Sequence, residues 1–245
     1  MPPALDNPPF RRICLRHAGE RNIPAMPFQS SGLAALPAEI AVFPLTGALL
    51  LPGGRLPLNI FEPRYLALVE ASLAQGRSFG MIQPDPAASP QPGGPGLYKV
   101  GCLGRLSSFS ETDDGRLLIS LTGIIRFQVA AELPGRDGYR RVRADYSPFT
   151  ADLDNPAAPA DLDRPALLEA LRAYFRAKGI DANWEAIEQL EDDPLITTLC
   201  MVCPFEPLEK QALLEAPDPA ARAAMLVTML RMDSMPGTGQ DMRPS

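Results

Sequence analysis

The apolar residues of this chain follow two rhythms, one short and interrupted, the other helical. Ile40-Ala41-Val42-Phe43-Pro44-Leu45, Ala48-Leu49-Leu50-Leu51 and Pro57-Leu58-Asn59-Ile60-Phe61 are brief runs cut by Gly and Pro. They predict strands of a compact β-domain. Pro63 then suits the first turn of a helix in which Leu66, Val69 and Leu73 share a face and which Gly76 closes. Ser78 to Gln83 predicts a further strand, as do Leu97 to Phe109 and Leu117 to Leu133. Between the last two lies Asp114-Gly115, a hairpin signal because Gly accepts positive φ at little cost. From Tyr139 to Phe149, Val142, Ala144 and Tyr146 alternate with Arg141, Arg143 and Asp145, the period of a strand. The Pro/Gly/Ala-rich stretch from Pro84 to Gly96 lacks the donors of a ladder and predicts a long, mobile loop.

After a Pro/Ala/Asp stretch from Thr150 to Asp163, helical spacing takes over. Asp163 is placed to cap a helix with Leu167, Leu171, Tyr174 and Phe175 on one face, ending at Gly179. Trp184, Ile187 and Leu190 mark a second. Asp193-Pro194 opens a third, through Leu195, Ile196 and Leu199, and Pro204 stops it. Leu208, Ala212 and Leu213 mark a fourth, and Asp218-Pro219 opens a last with Leu226, Met229 and Leu230. Helices this short do not stand alone, so they must pack together or onto the β-domain. The reading is an α+β chain: an arm over 1–37, a β-domain over 38–150, a linker over 151–163, a helical bundle over 164–232 and a tail over 233–245.

Composition narrows the function. Hydrophobic residues at 46% and charged residues at 21% are ordinary globular values. The net charge of −6 and sequence pI of about 4.9 speak against a phosphate-binding surface for nucleic acid. No run approaches the roughly 20 apolar residues of a membrane span. The N-terminus shows no signal-peptide core, and Cys14, Cys102, Cys200 and Cys203 have no disulfide-framework spacing. Cytoplasmic residence is the expectation. Met26 is a candidate natural start, which would make the first 25 residues an upstream extension.

Catalytic chemistry is hard to assemble. Cys200 and Cys203 have half-site spacing, but a zinc site needs about four ligands, no second Cys/His pair completes one, and the sole histidine, His17, lies in the arm. On a helix the two cysteines fall one turn apart on an apolar face, which predicts core. Asp113-Asp114 sits at a turn and Asp192-Asp193 at a helix start, where local structure favours carboxylates. No Gly-x-x-x-x-Gly-Lys-[Ser/Thr] loop exists to cradle phosphates. The expectation is no catalysis, no cofactor and no metal.

Several elements in order resemble one family. Phe43-Pro44-Leu45, Leu51-Pro52-Gly53 and Leu56-Pro57-Leu58-Asn59-Ile60-Phe61-Glu62-Pro63-Arg64-Tyr65 are similar to the opening signature of the Lon protease N-terminal domain. Phe79-Gly80, Tyr98-Lys99-Val100-Gly101-Cys102, Asp114-Gly115-Arg116 and Thr122-Gly123 with Arg126-Phe127 resemble its later strands. Lys210-Gln211-Ala212-Leu213-Leu214-Glu215, followed by Arg222 and Leu226, resembles its helical part. The resemblance covers about Ile40 to Met232. It implies a PUA-like β pseudo-barrel followed by a small helical bundle. It also implies a protein-binding module that recognises unfolded or tagged protein segments, as an adaptor for proteolysis or quality control, with a separate ATP-dependent protease as a possible partner. Lys99, Lys178 and Lys210 all fall inside this homology, and none follows a serine in a Lon-like proteolytic motif.

A receptor for unfolded segments needs a greasy groove, to which an unpaired strand edge is an optional addition. Leu49, Leu50, Leu51 and Phe61, with the loop from Pro92 to Gly96, are candidates for its lining; the alternative for the leucines is barrel core. Arg64 and Tyr65, beside Glu62, are candidate contacts; the alternative is that Glu62 caps the helix and Arg64 pairs with a carboxylate or carbonyl. For Arg126-Phe127 an ion pair and a core residue are expected. Because PUA-like folds often hold RNA, an RNA-binding protein is the competing function.

Overall fold

A computed structural model of the chain describes residues 32–91, 93–154 and 162–234. Most of the expected arm, with Cys14, His17 and Met26, lies outside the described residues, as do Pro92, the centre of the linker and nearly all of the tail. The described elements are β1 (Glu39–Pro44), β2 (Arg55–Ile60), α1 (Pro63–Ala74), β3 (Ser78–Ile82), β4 (Val100–Glu111), β5 (Leu117–Arg136) and β6 (Tyr139–Asp145). The helices α2 (Arg164–Lys178), α3 (Trp184–Gln189), α4 (Asp192–Val202), α5 (Pro207–Glu215) and α6 (Pro219–Ser234) follow. Among the described residues no helix is long and apolar enough to cross a membrane.

The sheet runs β2-β5-β4-β3-β1-β6, and β6 also pairs with β5. Five strands therefore close into a ring, and β2 hangs outside it. The 20-residue β5 makes this possible: Leu117 to Thr122 pairs with β2, while Gln128 to Arg136 pairs with β6. Register shifts at Leu103/Gly104 and Leu106/Ser108 in the β4–β5 pair, and at Val129/Ala131 in β5–β6, supply the local bending that closure needs. Inside the ring sits Phe127, fully buried. A Cβ on Gly80 or Gly101 would fall 2.8 or 2.6 Å from its ring, so the backbone approach there depends on glycine.

Parts of the chain differ from the sequence reading. Ala48 to Leu51 forms no strand; it is an irregular stretch whose three leucines all point inward, and a strand would turn alternate side chains outward. The strand expected to reach Phe149 stops at Asp145, and Ser147–Leu153 coils into 3-10 turns with Pro148 in the first turn. The β5–β6 hairpin turns at Asp137-Gly138, with φ of 48° and 83°, on the same Asp-Gly signal that marks Asp114-Gly115. The loop from Pro84 to Gly96, expected to be mobile, is tied to the ring wall: Arg140, only 6% exposed, donates to the Pro95 carbonyl (2.6 Å) while pairing with Glu132 (2.8 Å).

The caps match their sequence signals. The Asp163 carboxylate accepts from the Ala166 N–H, Asn183 does the same for Ala186, and Gly179 takes a left-handed conformation (φ 64°) to end α2. The helices pack onto the β-domain as well as on one another. One apolar cluster joins Phe43, Leu68, Phe79 and Leu121 to Leu171, Tyr174, Leu199 and Leu226, and a second fills the ring around Val42, Leu103, Ile125 and Val142.

A polar seam fixes how α5 meets the strands. Gln83 donates to the Pro207 carbonyl (2.9 Å) and to Gln211 (3.1 Å), and Gln211 donates to the Val100 carbonyl (3.2 Å). Lys210 Nζ donates to the carbonyls of Gly47 (2.8 Å) and Met201 (3.3 Å). Arg126 forms a two-pronged pair with Asp152 and also donates to the carbonyls of Leu214 (3.1 Å) and Ala216 (2.6 Å). Each side-chain nitrogen of Arg126, and Lys210 Nζ, finds at least one acceptor, which offsets part of the cost of burying their charge.

Candidate functional site

The structure separates the six residues named for binding. Leu49, Leu50 and Leu51 are 2%, 1% and 0% exposed, so they are core, the alternative reading, and line no open groove. They plug the space between the ring and the helices: a Cβ on Gly104 would lie 2.7 Å from Leu50 Cδ2, and one on Gly123 would lie 2.0 Å from the Leu51 carbonyl oxygen. Tyr65 is also buried, its ring edge-on to Phe43 with centroids 4.0 Å apart. Burial raises its phenol pKa above the ordinary value. Arg64 lies over the Tyr65 ring at 4.6 Å and pairs with Glu62 at 2.7 Å. Glu62 makes no cap hydrogen bond, so its carboxylate holds Arg64 instead of the helix N-terminus.

Phe61 is the exception, 56% exposed just beyond the end of β2. Two further large apolar side chains stand out near it, and the sequence reading missed both: Phe109 at 49% and Leu118 at 47%. In the three-stranded ribbon β2-β5-β4, Leu118 pairs with Asn59 on one side and Ser110 on the other, while Phe109 pairs with Ile119. Alternation therefore puts Leu118 and Phe109 on opposite faces of the ribbon tip. Arg116 lies 6.0 Å from the Phe61 ring centre and pairs with Asp114 at 2.8 Å. The signal in the sequence was there: the alternation of Leu117 to Leu121 turns Leu118 away from its core-facing neighbours.

The ribbon has two edges. Among the described residues β2 pairs with β5 alone and is open along its whole outer side, while β4 is open only over its distal half, beyond its pairing with β3 at Arg105. The Gly123 N–H donates to the Gly54 carbonyl (2.9 Å), which sets the phase of the β2–β5 ladder. With period two, residues 56, 58 and 60 bond to β5, and the backbone groups of Pro57 and Asn59 turn outward. Pro57 sits where a missing N–H costs the ladder nothing.

The remaining candidates are structural. Cys200 and Cys203 are buried, and burial pushes each thiol up to about 12, the opposite of what a reactive thiolate needs. Phe127 is core and Arg126 an ion pair, as expected. Asp114 is held by Thr112 and Arg116 at the hairpin, and Asp192 pairs with Arg164 at the start of α4. Among the described residues no group of three His, Cys, Asp or Glu side chains is arranged to hold a metal ion. A cleft of about 190 Å³ between α1 and β1 is lined by Glu39, Ser72, Tyr139, Arg136 and Arg141. Its carboxylate is engaged by Arg141 (3.0 Å) and Arg143 (3.5 Å).

Comparison with known proteins agrees with this arrangement. The chain is 24% identical over 197 residues to Lon protease 2 of Myxococcus xanthus, covering 80% of this chain and 24% of that protein. It is 28% identical over 200 residues to the Lon protease of Salinispora arenicola, covering 79% of this chain and 24% of that protein. The chain thus spans about a quarter of the length of the curated relatives it matches. In fold it is similar to the crystal structure of a Lon N-terminal domain protein from Xanthomonas campestris (TM-score 0.53, 24% identity, 78% of this chain and 97% of that one). It is also similar to the N-terminal domain of the Mycobacterium avium complex Lon protease (TM-score 0.52, 16% identity, 78% of this chain and 97% of that one). A family model for the substrate-binding domain of ATP-dependent protease La (LON) matches residues 39–232, and the chain belongs to that family.

Proposed function

We infer that this chain recognises protein segments, unfolded or tagged, and holds them without catalysing a reaction on them. The observation that carries the reading is the family match over residues 39–232, which falls on a substrate-binding domain. The exposed Phe61, Phe109 and Leu118 at the ribbon tip support it, since apolar side chains that fold-building leaves in water are what an apolar segment covers. A separate ATP-dependent protease is the partner that such a module would serve, with this chain as adaptor. The net charge of −6 gives RNA no comparable support.

The test is fluorescence anisotropy of a labelled, permanently unfolded protein titrated with the full chain, with the same protein folded as control. Saturable binding of the unfolded form alone is expected. Equal binding of both forms, or none of either, overturns the reading.

A further inference from the structure

We propose that the open edge of β2, from Pro57 to Phe61, takes up an extended protein segment by adding it to the sheet as a further strand. The proposal rests on the segment-recognition reading above and states how recognition works.

Backbone geometry comes first. The phase of the β2–β5 ladder turns the Asn59 N–H and the carbonyls of Pro57 and Asn59 away from β5. Among the described residues none of these groups has a partner. An incoming strand exchanges two hydrogen bonds with Asn59 and gives one more to the Pro57 carbonyl. Pro57 gives none back, so this short edge binds weakly and resists permanent pairing.

Side chains then select the segment. Leu56 and Leu58 face the core side of β2 and are only half buried, so apolar residues at alternate positions of the segment would cover them. The residues between those positions lie on the outer face with Leu118, and Phe61 stands exposed just past the end of the edge. The position opposite Asn59 cannot be proline, because it must donate to the Asn59 carbonyl.

Area decides between this occupant and a second copy of the chain. A six-residue edge is about 20 Å long and roughly 10 Å deep, so pairing two such edges buries about 400 Å² in all. A stable dimer needs at least about 1,200 Å². Two copies would also bring two prolines to the same junction and lose a donor from each. A flexible segment loses only one and adapts its side chains to the ribbon face.

The probe is a fluorescently labelled octapeptide of alternating valine and threonine, compared with the same peptide N-methylated at every amide. Anisotropy with the full chain is expected to show saturable binding of the first and at least about ten-fold weaker binding of the second, since the methyl groups remove its donors. Asn59→Pro, which deletes an outward N–H that β5 does not use, is expected to weaken the unmethylated peptide about ten-fold, with the circular dichroism spectrum unchanged. Equal binding of the two peptides means side-chain capture alone and overturns strand addition. If the unfolded protein still binds in that case, the recognition reading survives. If neither the peptides nor the unfolded protein bind, both fall together.

Discussion

Two parts of this molecule use the same kinds of side chain for opposite ends. At the seam between the ring and the helices, Leu49, Leu50 and Leu51 are sealed in, Arg126 and Lys210 donate to backbone carbonyls or to Asp152, and Gln211 bonds to Gln83, Glu215 and the Val100 carbonyl. At the ribbon tip, Phe61, Leu118 and Phe109 lie in water, and Arg116 pairs with the equally exposed Asp114. Among the described residues the seam has a second layer to cover it and the tip has none. Whether a leucine is sealed in or left exposed is decided by that layer, not by the residue.

The comparison breaks most sharply at Asp152. Asp152→Ala strands the Arg126 guanidinium, which is 4% exposed, without its carboxylate. A loss of about 3–5 kcal/mol is expected from urea denaturation. Arg126→Met with Asp152→Leu should recover much of it, because the pair's own net contribution is small against an apolar replacement. A single variant as stable as the parent would mean that water reaches the pair. Leu50→Ala should cost about 2–5 kcal/mol by leaving a cavity beside Gly104. Assayed below its melting temperature it should bind unfolded protein as the parent does; weaker binding would make Leu50 a contact after all.

The same layer explains what the sequence disclosed. The strands, the helix after Pro63, the Asp114-Gly115 hairpin and five C-terminal helices were legible because period, caps and glycines are local signals. Ala48 to Leu51 was misread as a strand because a four-residue apolar run has no period to resolve, and its burial comes from helices over a hundred residues away. Phe61, a candidate for the lining, is exposed, whereas Leu49 to Leu51, grouped with it on hydrophobicity alone, are core. Leu118 was missed although the alternation of Leu117 to Leu121 turns it outward, and Phe109 was missed because it shares the face of the buried Ile119, so that no local pattern announces its exposure. Asp152, counted as linker, proved to be the partner of Arg126 only once the 3-10 turns folded it back on β5.

A smaller effect separates the seam from the tip by pH. Lys210 lies in the seam with two carbonyl acceptors, and burial lowers its pKa below the ordinary 10.5. A lysine lowered on folding binds fewer protons in the folded state than in the unfolded one. The cost of burying its charge is therefore fully present below the folded pKa and is relieved as pH rises from there toward 10.5. The melting temperature of the parent, measured relative to Lys210→Met, should rise through that window. A difference that stays flat would show the ammonium to be solvated.

The tip should register almost nothing in stability and most of its effect in binding. Phe61→Ser and Leu118→Ser remove apolar side chains that are 56% and 47% exposed, so each should shift stability by no more than about 0.5 kcal/mol. Phe61 stands at the end of the open edge and Leu118 on the outer face across from Asn59, and together they should weaken capture of an unfolded protein more than either alone. Phe109→Ser serves as the internal contrast, because Phe109 is equally exposed but on the opposite face of the ribbon. If Phe109→Ser weakens binding as much as Phe61→Ser does, the tip acts as a general greasy end and the segment wraps it. If only Phe61 and Leu118 matter, the segment lies along β2, where the open backbone groups are.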